Sequence, residues 1–107
     1  MELILKGIGA CSGFARGKAK IVKDLTKIPE IEEGCILVVP FFTPILSMLI
    51  SKARGIITDL GGITSHAAVI SREFNVPCIV GVNEATTKIR DGQIICIDGE
   101  KGEIYGT

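Results

Sequence analysis

The sequence predicts an α/β domain of three layers, combining a small parallel sheet with helices and additional antiparallel strands. Three observations predict it. The middle of the chain alternates short apolar runs with helical segments, "CILVV" at 35–39, "GIITD" at 55–59 and "CIVG" at 78–81, the order that β-α-β crossovers and a parallel sheet require. Glycine-rich strands stand at both ends of the chain and read as antiparallel pieces of a second layer. Finally, 107 residues suffice for one core and one domain, residues 1–107, and for one site rather than several.

In chain order, Glu2–Lys6 reads as a first strand and Phe14–Val22 as a second, joined by the corner "GIGACSG", where positive φ costs little. The polar stretch Asp24–Gly34 contains Pro29 and reads as a loop. Cys35–Val39 is apolar without interruption, as strands buried on both faces are. Thr43 and Pro44 occupy the positions of an N-cap and a first helical residue, with Gly55 as a stop, which predicts a helix over Pro44–Ala53. Gly55–Asp59 follows as a strand. Ala67, Ile70, Ser71 and Phe74 recur at i, i+3, i+4 and i+7, which predicts one helix face within Ser65–Phe74, ended by Asn75 and Pro77. Cys78–Gly81 reads as another buried strand, and "DGQIICIDGEKGEIYG" closes the chain as a hairpin with Asp-Gly turns.

Composition excludes several function classes. Twelve Lys and Arg balance twelve Asp and Glu, and no run of like charge forms a stripe, so neither nucleic acid nor an anionic membrane is an expected partner. Cys11, Cys35, Cys78 and Cys96 contain no C-x-x-C pair and offer neither a zinc knuckle nor a dithiol site; they read as apolar thiols of a reducing compartment. The N-terminus lacks a secretory signal. The apolar run Ile36–Ile50 is broken by Pro40 and Pro44 and falls short of the ~20 residues of a membrane span. A soluble cytoplasmic protein is expected.

The chemistry that remains centres on "GGITSHAA", residues 61–68, which holds the only histidine of the chain. His66 falls in the first turn of a predicted helix, at the carboxyl end of a buried strand, where open α/β sheets place their ligands. Free backbone N–H groups and the helix dipole favour anions there by ~0.3–1 kcal/mol. The same field disfavours imidazolium, and the neutral ring is the nucleophile. A phosphoryl group on that ring would lie against the helix N-terminus and the hydroxyls of Thr64 and Ser65, while Gly61 and Gly62 remove Cβ bulk on one side. Each residue also has an ordinary structural role: Thr64 as the N-cap, Gly61-Gly62 as a turn. A metal site lacks ligands. A Ser-His-acid triad fails because Ser65 and His66 are adjacent and diverge. "GFARGKA", residues 13–19, is one residue too short for a P-loop and has Ala19 in place of the magnesium-binding hydroxyl, so the chain is not expected to bind nucleotide itself.

"GGITSHAAVISREFNVPCIVG", residues 61–81, closely resembles the phosphohistidine segment of the phosphoenolpyruvate-utilising enzymes: phosphoenolpyruvate synthase, pyruvate phosphate dikinase and enzyme I of the sugar phosphotransferase system. The resemblance continues through "GCILVVPFFTPILSMLISKARGIITD", "GIGACSGFARGKAKIV" and "IRDGQIICIDGEKGEIY" and covers nearly the whole chain. It implies the three-layer β/β/α fold of a swivelling phosphohistidine domain. It further implies that His66 carries a phosphoryl group between an ATP-grasp partner, which holds ATP and Mg, and a barrel that binds phosphoenolpyruvate or pyruvate. By the same resemblance Thr64 matches a threonine whose phosphorylation silences the dikinases.

The phosphoenolpyruvate-utilising enzymes are several times longer, and this chain contains neither an ATP-grasp segment nor the barrel's catalytic cysteine and acids. It is therefore expected to need partner domains or subunits for turnover. Because the chain begins at Met1 and has no linker-like composition at either end, a free-standing carrier is expected ahead of an excised fragment or a non-catalytic interaction module.

Overall fold

The centre of the molecule is the strand Cys35–Val39, buried at all five positions. Its side chains alternate between two cores. Leu37 and Val39 join Ile56, Val80, Leu46 and Ala68 on one side; Ile36 and Val38 join Ile57, Ile79, Ile95, Ile97 and Ile104 on the other. A strand with apolar side chains on both faces must be covered on both faces, and three layers follow from that one sequence property.

The computed structural model describes residues 1–107. The strands are β1 (Glu2–Lys6), β2 (Ile8–Cys11), β3 (Phe14–Ile21), β4 (Cys35–Val39), β5 (Ala53–Thr58), β6 (Cys78–Val80), β7 (Ile94–Asp98) and β8 (Glu103–Gly106); the helices are α1 (His66–Phe74) and α2 (Ala85–Lys88). They form a sheet in the order β1-β8-β7-β3-β4-β5-β6-β2. Pairing is parallel from β3 to β6 and antiparallel elsewhere. The small parallel sheet and its antiparallel additions are as expected. No helix is long and apolar enough to cross a membrane.

The two outermost strands, β1 and β2, are consecutive in the chain and separated by Gly7 alone, so the sheet folds back on itself into two stacked layers. A Cβ at Gly7 would lie 2.7 Å from the Val80 carbonyl oxygen and 2.7 Å from Val82 Cγ2. The corner expected over "GIGACSG" thus contains a strand, β2, which pairs with β6; four residues with two backbone-exposing small side chains present too little periodicity to be read as one.

Three further expectations are corrected. The helix expected over Pro44–Ala53 is a 3₁₀ turn over Pro44–Leu49; Ala53 already pairs with Cys35 in β5, since parallel pairing outcompetes a short helix. Gly55 is therefore no helix stop but a mid-strand residue, whose Cβ would meet Ile97 Cδ1 at 2.6 Å. On α1, Ala67, Ala68 and Ser71 are buried, but Phe74 is 56% exposed. Asn75 turns left-handed at φ 56°, and Val76, which donates its N–H to the Ser71 carbonyl, supplies the buried contact instead. The single turn α2 had no sequence signal.

All four cysteines are free. Cys78, fully buried under α1, has its thiol pushed up to about 11 from the ordinary 9.0, chiefly by burial. The folded state thus keeps a proton that the unfolded chain releases. Stability from this group is complete below about pH 9 and is lost as pH rises toward about 11. Urea unfolding of the parent is expected to weaken over that window by up to about 2–3 kcal/mol more than that of Cys78→Ala; parallel curves would contradict the assignment.

Candidate functional site

The parallel strands β4, β5 and β6 end together, and the loops leaving them are bonded to one another. Leu60 N–H donates to the Pro40 carbonyl at 2.8 Å, Asp59 N–H to Val39 at 3.1 Å, and Val82 N–H to Thr58 at 3.1 Å. The buried Asp59 carboxylate accepts from Ala85 N–H at 2.6 Å and from the Thr86 hydroxyl at 2.5 Å, holding the turn after β6. An acid at the mouth of the sheet is a natural candidate for chemistry; here its oxygens are engaged in a structural bond. Sequence reasoning passed over Asp59, and its one signal was an acid closing an apolar strand.

His66 is the first residue of α1, exposed, with its ring centroid 5.7 Å from that of the buried Phe42. Its position at a helix start beyond β5 is as the spacing predicted. The N-cap is Ser65, not Thr64: Ser65 has extended φ/ψ of −66° and 162°, and its Oγ accepts from Ala68 N–H at 3.4 Å. Thr64 lies one residue earlier, exposed, and takes no part in the cap. The amides of His66 and Ala67 precede the first intrahelical bond and have no carbonyl partner within α1; His66 is exposed and Ala67 buried, so an anion reaches the helix start from the His66 side. Ser65→Ala is expected to cost ~0.5–2 kcal/mol in thermal or urea unfolding, whereas Thr64→Ala leaves stability within about 0.5 kcal/mol of the parent. The reverse order would place the cap on Thr64.

The two glycines differ. Gly61 has φ +119°, and a Cβ there would press on Ser65 Cβ at 3.1 Å, so the loop needs it. A Cβ at Gly62 would meet nothing within 4 Å. The fold therefore does not require glycine at 62, and the space beside it is open to an approaching group. Arg72 ties α1 to β2 through a 2.9 Å bond from Nε to the Ala10 carbonyl. His66 lines none of the surface concavities, one of which, ≈ 190 Å³, lies among Lys18, Lys20, Glu32, Cys35 and Asp91. The imidazole stands on a surface that another molecule's cleft could receive.

Comparison with known proteins finds relatives of the whole chain and of its fold. The family model described as "PEP-utilising enzyme, mobile domain" matches residues 31–102. A probable phosphoenolpyruvate synthase of Archaeoglobus fulgidus is 44% identical over 104 residues, which is 97% of this chain and 14% of that protein. The chain thus spans about a seventh of the length of such relatives. Among solved structures, enzyme I is similar over 73% of this chain and 32% of its own, with TM-score 0.64 and 28% identity. Aconitase X of Thermococcus kodakaraensis shares the fold over 96% of this chain and 97% of its own, at TM-score 0.76 and 20% identity.

Proposed function

The chain belongs to the family of mobile domains of phosphoenolpyruvate-utilising enzymes, and from that premise we propose that His66 is the residue through which it carries a phosphoryl group. The observation that supports this most is the placement of the chain's one imidazole, exposed at the first residue of α1, at the helix N-terminus. In the step proposed, a ring nitrogen attacks the phosphorus of a phosphoric anhydride. The N–P bond forms as the P–O bond breaks, and the leaving phosphate departs with the electron pair. The N–H proton stays on the other ring nitrogen. Onward transfer reverses the step, with an acceptor oxygen forming the new P–O bond.

In this reading the N-terminus of α1 faces the phosphoryl oxygens, a charge–dipole contact of ~0.3–1 kcal/mol, and the hydroxyls of Thr64 and Ser65 stand beside them. Gly61 shapes the loop and Gly62 leaves clearance. ATP and Mg belong to an ATP-grasp partner, and the acceptor is pyruvate on a partner barrel, as in phosphoenolpyruvate synthase. The domain alone completes no turnover. Incubation with ATP, Mg and such a partner is expected to introduce one acid-labile, base-stable label. A non-catalytic interaction module of the same fold predicts partner binding without any label, so the assay separates the two.

A further inference from the structure

Two segments on either side of β5 meet at His66, and neither contains an acidic or basic side chain other than that imidazole. Residues 35–51 and 60–71 contain no Asp, Glu, Lys or Arg, although the chain has twelve acidic and twelve basic residues. The 2.8 Å bond from Leu60 to Pro40 and the packing of His66 on Phe42 bring the segments together. Around the imidazole they leave exposed apolar side chains: Phe41 at 47%, Leu60 at 59%, Ile63 at 55% and Val69 at 45%. Large apolar groups gathered in this way on a small domain mark a surface that another molecule covers.

The absence of charge specifies that molecule. A charged side chain on the partner's rim would lose hydration against these two segments and find no ion-pair partner in either. An apolar rim is its complement. The phosphoryl group itself is anionic, and the two segments offer it a helix N-terminus but no formal cation, which leaves room for the countercharge at the centre of the partner's site. We propose that Phe41, Leu60, Ile63 and Val69 form a sealing collar that seats on a phosphoryl-donor site with an apolar, uncharged rim and its cations confined to the centre. Sealing excludes water and strengthens the interactions inside. The proposal rests on the phosphoryl-carrier reading of His66.

The test grafts this chain in place of the matching segment of the Archaeoglobus fulgidus phosphoenolpyruvate synthase and follows ATP-dependent labelling. Ile63→Lys and Ile63→Glu, and likewise Leu60→Lys and Leu60→Glu, are each expected to slow labelling about tenfold or more, with melting curves like the parent's. With phosphoramidate, a small anionic donor that needs no seal, the two charges act through Coulomb attraction and repulsion and therefore in opposite senses. Opposite senses in the graft as well would reveal a charged rim and overturn the proposal; unchanged rates in the graft would overturn it too. A parental graft that takes no label, with the separate chain also unlabelled by phosphoramidate, counts against the carrier reading itself. A parental graft that takes no label while phosphoramidate labels the separate chain counts against this docking surface.

Discussion

Thr64→Asp is expected to accept a phosphoryl group at least about tenfold more slowly than the parent, a change that a like-charge repulsion of about 1.4 kcal/mol suffices to produce. Thr64 is exposed, immediately before the N-cap and two residues from His66. A carboxylate there competes for the N-terminus of α1 and repels the incoming phosphoryl oxygens. Because Ser65 is the cap, the substitution leaves the helix start intact, and the melting temperature should stay within about 3 °C of the parent. Thr64→Ser keeps the hydroxyl and is expected to be labelled nearly as fast as the parent. Phosphorylation of Thr64, the regulatory modification implied by family resemblance, would act by the same repulsion. Parental labelling of Thr64→Asp would remove any regulatory role for Thr64.

Gly99→Ala is expected to cost about 3 kcal/mol or more and to lower the melting temperature on the order of 15 °C. The turn from β7 to β8 lies directly on β2. A Cβ at Gly99 would stand 2.0 Å from the Cys11 carbonyl oxygen, and one at Gly9 would stand 2.4 Å from the Gly99 and Glu100 oxygens. These are backbone-on-backbone approaches, which no rotamer change relieves. The turn is fixed further by Gly99 N–H donating to Gly13 at 2.8 Å and by the buried Asp98 accepting from Glu100 and Lys101 N–H. Gly62→Ala is the control, expected to melt within about 0.5 kcal/mol of the parent because its Cβ enters open space. Equal melting of Gly99→Ala and the parent would mean the turn does not rest on β2.

What the sequence made legible follows from which residues act locally. The five apolar residues of β4, the αL residue Asn75 at the end of α1 and the Asp-Gly turns each state their conformation through neighbours a few positions away. β2 does not, because Ile8–Cys11 becomes a strand only through β6, about seventy residues downstream. Gly55 reads as a stop until Ile97 is packed against it, and Thr43-Pro44, which does start a helical turn, cannot say how soon β5 claims Ala53 and ends it. At the candidate site, local spacing sufficed to put His66 at a helix start. It could not choose between adjacent hydroxyls for the cap, nor separate the loop glycine Gly61 from the unconstrained Gly62. The contact with Phe42 and the role of Asp59 depend on parallel strands ending side by side, which no window of sequence contains.

Phosphoryl transfer is assigned to one ring nitrogen of His66, and intact-mass and fragment mass spectrometry of the chain, phosphorylated under neutral or basic conditions, tests that assignment most directly. One added phosphoryl group is expected, confined to the fragment containing Gly61–Ala68 and absent from His66→Ala. Retention of the group in His66→Ala, or its placement on Thr64, Ser65 or a cysteine of the parent, would contradict it.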